Sequence, residues 1–245
     1  MSTYQAIRLF GTLLLGAVTA ARPLRDIEFR VYSQYPLNDL AFTPLAPPAA
    51  PAAIQAARPV PVQSHILRCS RAYRFRGQHL LQFYHAPSGT PVARVGLSQH
   101  SNQWLLIFLN NPRHKHNPAQ QPAYLIYPFD QSEALRAEQP FVLLNLSGQR
   151  LHGWLQQQRI QIDHGASVAL AAPQRVTVQL WMRGANRIDQ LQALRHTYQC
   201  APKQRSLLIL FPPVLSGSAE LDARLLSMGP NQSRTRADDS CPTNK

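Results

Sequence analysis

Residues 175–183 read RVTVQLWMR, and they alternate without a break. Val176, Val178, Leu180 and Met182 fall on one side of an extended chain, while Thr177, Gln179 and Trp181 fall on the other. A period of two is the signature of a β-strand with one face in a core.

The same reading extends in both directions. Ile27, Phe29 and Val31 alternate with Glu28, Arg30 and Tyr32 near the start of the chain. Further strands are predicted at Leu80–His85, Val92–Leu97, Gln103–Leu109, Ala123–Phe129, Phe141–Leu146, Leu151–Leu155, Arg159–Asp163, Ser167–Ala171, Leu194–Gln199 and Ser206–Phe211. Short strands at this spacing, with little helical periodicity, predict an all-β chain: an antiparallel β-sandwich, or two small sandwich units packed together. Trp104–Leu109 is apolar without alternation, which predicts a central strand covered on both faces. Ser147-Gly148-Gln149 and Asp163-His164-Gly165-Ala166 read as tight hairpin loops with glycine supplying positive φ. Ser218–Met228 fits a short helix or another strand equally well. Leu105-Leu106-Ile107-Phe108 and Leu207-Leu208-Ile209-Leu210-Phe211, each followed closely by proline, suggest two related sheet units.

Between these elements the composition shifts sharply. Residues 44–63 form a proline- and alanine-rich stretch that excludes a helix interior and a central strand, and it reads as an extended linker. This sets off an N-terminal strand segment, 22–43, from a β-sandwich region, 64–228; residues 229–245 are polar and read as a disordered tail. Residues 1–21 carry Arg8, then an apolar run from Leu9, then small residues, the layout of a secretory signal peptide. The run is short for a membrane anchor, which needs about 20 apolar residues. The expected address is the periplasm or cell envelope, or secretion.

The formal net charge is +13, carried mainly by arginines spread singly along the 245 residues. Such a balance attracts anionic partners: in an exported protein, an anionic envelope polymer, acidic polysaccharide or a membrane surface, with nucleic acid disfavoured by location. The three cysteines permit one disulfide in an oxidising compartment, and Cys69 with Cys200 is the expected pair because Cys241 lies in the polar tail.

Catalytic patterns are weak. The 12 acidic residues offer no evident glycosidase pair, no G-x-S-x-G pentapeptide marks a hydrolase serine, and no phosphate-cradling glycine run appears. No cofactor is expected. His114 and His116 would point the same way in a strand, as a metal site would need, with His100 or His85 as a third ligand; solvated loop histidines beside Arg113 and Lys115 are the competing reading. Trp104, Trp154 and Trp181 lie in predicted strands, where they either fill a core or form an aromatic face that stacks on a sugar. Arg71, Arg74 and Arg76 interleave with Tyr73 and Phe75, either as an anion-binding stretch or as a basic edge that discourages sheet-to-sheet aggregation. The overall expectation is a non-catalytic binding or structural protein; a metal-dependent enzyme and a carbohydrate-binding module are the alternatives.

The order of several short motifs resembles a family of exported bacterial proteins with no assigned activity. The carriers are Tyr73–Tyr84 followed by Pro91-Val92-Ala93-Arg94-Val95, then Leu105–Phe108, the Asn145-Leu146-Ser147-Gly148 turn, and RSLLILFPP at Arg205–Pro213. The resemblance implies an all-β exported protein and carries over no catalytic residue. The proline- and histidine-rich loop from Asn110 to Pro122 departs from the family pattern.

Overall fold

The computed structural model describes residues 24–44, 59–64, 66–134, 140–171, 174–184, 190–200 and 204–228. The expected signal segment, most of the proline-rich linker, the tail and Cys241 lie outside the described residues. Among the described residues, sixteen strands make four four-stranded sheets. The first eight are β1 (Arg25–Ser33), β2 (Leu40–Phe42), β3 (Val60–Pro61), β4 (Tyr73–Gly77), β5 (Leu80–His85), β6 (Pro91–Gly96), β7 (Gln103–Asn110) and β8 (Tyr124–Asp130). After one helical turn, Gln131–Ala134, come β9 (Pro140–Asn145), β10 (Leu151–Leu155), β11 (Gln158–Ile162), β12 (Ser167–Ala171), β13 (Arg175–Arg183), β14 (Gln190–Gln199), β15 (Arg205–Phe211) and β16 (Asp222–Met228). No helix of the described residues is long and apolar enough to cross a membrane.

The two halves have the same topology. In the first, β4-β1-β7-β8 and β3-β2-β5-β6 form a sandwich; in the second, β12-β9-β15-β16 and β11-β10-β13-β14 form another. Adding eight to each strand number converts one description into the other. The parallel pairs match as well, β1 with β7 and β9 with β15. The two apolar stretches singled out in the sequence, Leu105–Phe108 and Leu207–Phe211, are β7 and β15, the same position in each unit.

One sheet of each sandwich faces its counterpart in the other unit, giving four layers ordered outer, inner, inner, outer. The inner sheets, β4-β1-β7-β8 and β12-β9-β15-β16, are therefore apolar on both faces, which is why β7 and β15 do not alternate. Leu106 and Phe108 point into the first sandwich with Phe29, Phe42 and Phe83. Leu208 and Leu210 point into the second with Leu143, Val178 and Leu180. Leu105, Ile107, Leu207 and Ile209 meet between the units together with Tyr32 and Leu144. Each such buried side chain contributes about 1.5–3 kcal/mol of burial free energy. Among the polar contacts that cross the same seam, Gln34 Nε2 donates to Asp222 Oδ2 at 2.6 Å, the Tyr127 hydroxyl donates to the Gly165 carbonyl at 2.5 Å, and Gln131 Nε2 donates to Met228 Sδ at 3.8 Å.

Several expectations change here. Residues 25–42 are integral strands of the first sandwich, paired with β4, β5 and β7, rather than a segment apart from it. The turns at Ser147–Gln149 and Asp163–Ala166 are not hairpins: β9 and β12 belong to the inner sheet, β10 and β11 to the outer one, so both turns carry the chain across the sandwich. Gly148, at φ 81°, lets the first of them reverse sharply. Of the two alternatives for Ser218–Met228 the strand forms, as β16 from Asp222 to Met228. The expected Cys69–Cys200 disulfide is absent and both thiols are free. Cys69 packs on the seam between the units, whereas Cys200 is in the core of the second sandwich, so an inner sheet separates the two environments.

The seam makes stability sensitive to alkali. Burial pushes the Cys69 thiol up to about 11 and the Tyr32 hydroxyl up to about 12. The folded protein thus retains protons that the unfolded chain releases near pH 9 and 10. Stability from these groups is fully present below pH 9 and is lost as pH rises toward 12. The urea midpoint is expected to fall across that window, with a shallower fall in Tyr32→Phe; a Tyr32→Phe protein that tracks the wild type throughout would remove Tyr32 from the account.

Candidate functional site

The outer sheet of the second unit, β11-β10-β13-β14, presents a solvent-facing surface assembled in rows across the strands. Register places Arg159, Trp154, Gln179 and Arg195 side by side, one from each strand. The next row is Gln161, His152, Trp181 and Gln192. Beyond the first row, Thr177 and Thr197 face each other with their hydroxyls 3.1 Å apart. Arg175 and Arg183 are exposed at the two ends of β13. Two carboxylates border this face: Asp163, just past β11, pairs with Arg150, and Glu220 lines a shallow hollow with Gln192 and Arg195.

The alternation of RVTVQLWMR builds this surface directly. Val176, Val178, Leu180 and Met182 are buried beneath it, which commits Thr177, Gln179 and Trp181 to the opposite side. Gly153 lets β10 approach β13 closely: its φ is 156°, and a Cβ there would collide with the Gln179 carbonyl oxygen. With strands about 4.8 Å apart, the two arginines of the first row are separated by about 14 Å of backbone. Trp154 and Trp181 occupy diagonal positions, about 7–8 Å apart at the backbone. Trp154 is 44% exposed and Trp181 half-buried. Between Gln161 and Trp181, His152 carries a ring nitrogen, Nε2, that is shielded from solvent and lacks a hydrogen-bond partner. Among the described residues, neither Arg159 nor Arg195 forms an ion pair. The chemistry on offer is aromatic stacking, amide hydrogen bonding and uncompensated positive charge.

The remaining sequence-derived residues are scattered. Trp104 is only 5% exposed, packs in the first core, and donates from Nε1 to the Ser101 carbonyl at 3.2 Å. Burial thus sets one tryptophan in the core and two on a surface. Arg71 lies over the Tyr73 ring at 5.3 Å. Arg74 is opposite Glu28 on the neighbouring strand, and Arg76 pairs with Asp26 at 3.9 Å. β4 is an edge strand, so these arginines make a partly neutralised basic edge. Arg113 and Lys115 lie beyond the other end of β7, away from Arg76, and the five cations form no common site.

His114 sits in a 3₁₀ turn, Pro112–Lys115, rather than in a strand, so His114 and His116 lose the same-side geometry that alternation would give. His114 Nδ1 is 2.8 Å from the Gln121 carbonyl oxygen. His85 is occupied elsewhere, with Nδ1 2.9 Å from Ser88 Oγ and Nε2 4.0 Å from an Asp39 carboxylate oxygen. His100 lies in the turn between β6 and β7. Among the described residues no cluster of three or more His, Cys, Asp or Glu side chains is placed to hold a metal ion.

Sequence reasoning found Trp154 and Trp181 and missed Arg159, Arg195, Gln179 and His152 as their neighbours. Alternation in β13 already placed Gln179 and Trp181 on one face, but the register that adds the arginines joins four strands across a topology the sequence does not spell out. The sequence matches no family model and no curated protein.

Proposed function

We propose that the protein is a non-catalytic binding module for an anionic polysaccharide, held on the outer sheet of the second unit. The observation that carries this reading is the row Arg159–Trp154–Gln179–Arg195, with Trp181 diagonal to Trp154 and neither row arginine in an ion pair among the described residues. Sugar rings stack on the tryptophans, the glutamines meet hydroxyls, and the arginines take the acidic groups on either side. An extended, open surface suits a polymer better than a small molecule, which needs a concave pocket. The N-terminal segment, read as an export signal, places such polymers within reach.

Retention on immobilised polygalacturonate tests the reading. The wild-type protein is expected to bind and to elute earlier as salt rises, because exposed charges are screened. Trp154→Ala and Arg195→Ala are each expected to weaken binding about tenfold, the equivalent of one charge-assisted or stacking contact of about 1.4 kcal/mol. Binding that ignores both substitutions would overturn the assignment of this face. Tighter binding to a single-stranded oligonucleotide than to the polysaccharide would move the ligand to another class.

A further inference from the structure

The outer sheet of the first unit repeats part of the surface just described, and the repetition is residue by residue. In the second unit Gln179 lies opposite Arg195, Leu180 opposite Leu194 and Trp181 opposite Gln192, so the ladder skips Ala193 immediately before the tryptophan. In the first unit Gln82 lies opposite Arg94, Phe83 opposite Ala93 and Tyr84 opposite Pro91, so the ladder skips Val92 immediately before the tyrosine. The strands involved, β5 with β6 and β13 with β14, are the equivalent pairs of the two sandwiches. Aromatic, glutamine and arginine thus recur at the same three positions around the same irregularity. Exposure follows: Gln82 and Tyr84 are half-buried and Arg94 exposed, as are Gln179, Trp181 and Arg195.

We infer that Tyr84, Gln82 and Arg94 form a second binding site for the same class of acidic polysaccharide, making the protein bivalent. The inference rests on the reading of the second unit's face given above. The second site is the weaker one, because Thr43 follows β2 where β10 has Trp154, and Pro59 precedes β3 where β11 has Arg159. The two faces lie on opposite sides of four stacked sheets, about 30 Å apart at about 10 Å per layer. They point away from each other, so a short oligosaccharide fills one at a time and two long chains are held together by one protein molecule. Bridging of polymer chains follows from this placement without any oligomer of the protein.

Titration with a galacturonic acid tetrasaccharide, together with turbidity of high-molecular-weight polygalacturonate, separates the cases. The wild type is expected to bind two tetrasaccharides with unequal affinity and to cross-link the polymer. Arg94→Glu, a change at an exposed side chain, is expected to leave one site of unchanged high affinity and to abolish cross-linking. Trp154→Ala with Arg195→Glu is expected to remove the stronger site and leave the weaker. A stoichiometry of one in the wild type, or cross-linking that survives Arg94→Glu, would overturn the second site while leaving the first intact. No tetrasaccharide binding at all would instead overturn the first reading on which it rests.

Discussion

Asn145→Leu is expected to destabilise the protein by about 3 kcal/mol, among the largest effects of any single polar substitution in the fold. Asn145 is fully buried at the end of β9, where the chain leaves the inner sheet. Its Nδ2 donates to the Gln149 carbonyl at 2.8 Å and the Ile162 carbonyl at 3.1 Å. Its Oδ1 accepts from the Ser147 amide at 3.0 Å and the Ser147 hydroxyl at 2.7 Å. Its backbone adds bonds to Ala166 and Gly165. One side chain therefore ties together both turns that cross the second sandwich. Leucine shares the branched shape but is bulkier, and it leaves the Ile162 carbonyl and the Ser147 amide without these bonds; each buried orphan costs about 1–3 kcal/mol before relaxation or water entry recovers part of it. Asn145→Asp is expected to be comparably damaging, because a carboxylate cannot donate to those carbonyls. A chemical-denaturation midpoint within experimental error of the wild type for Asn145→Leu would show that the turns hold without this residue.

The equivalent position in the first unit is Ser33, whose hydroxyl accepts from the Tyr35 amide at 3.2 Å, the same two-residue reach as Asn145 to Ser147. Such correspondences show which parts of the fold the sequence carried openly. β5, β10, β12 and β13 were readable to the residue because alternation and turn signals are local properties. β2 and β3, three and two residues long, were not, since so short a strand carries no period. Nor did the pairing partners follow: a short glycine-bearing turn closes a hairpin or steps between sheets with equal ease, and the parallel pairs join strands distant in sequence. The duplication showed faintly in one pair of apolar runs because the seam demands the same both-sided burial of β7 and β15.

The candidate site was legible in its aromatics and not in its charges. Tryptophan is rare enough that each of the three could be weighed singly, and burial then separated Trp104 from the other two. Arginines are so numerous here that clustering along the chain is a poor guide to where they gather in space. Arg71, Arg74 and Arg76 attracted notice by clustering in sequence, yet strand pairing sets Arg74 opposite Glu28 and Arg76 beside Asp26. Arg159 and Arg195, isolated in sequence, stand in one row with a tryptophan and a glutamine between them. Charge at a sheet surface is organised across strands, at right angles to the direction in which a sequence is read.

The seam between the units supports the second large prediction, for Leu207→Asp. Leu207 is fully buried on the face of β15 that meets the first unit, among Leu105, Ile107, Leu144 and Ile209. Truncation to alanine is expected to cost about 2–5 kcal/mol through lost burial and a cavity. Aspartate adds the penalty of placing a carboxylate where its surroundings are aliphatic, so the side chain is held protonated or the two inner sheets separate. Separation exposes both apolar sheet faces at once, since neither sandwich covers its inner sheet on the outside. The loss is therefore expected to exceed about 4 kcal/mol at neutral pH and to shrink as the pH falls and the carboxyl becomes neutral. Calorimetry adds a second readout: a wild type coupled across this seam unfolds in one transition, and Leu207→Asp is expected to split it or to expose apolar surface before the main melt. A Leu207→Asp protein that melts once, within a few degrees of the wild type, would mean that the two sandwiches are held together by contacts other than this shared core.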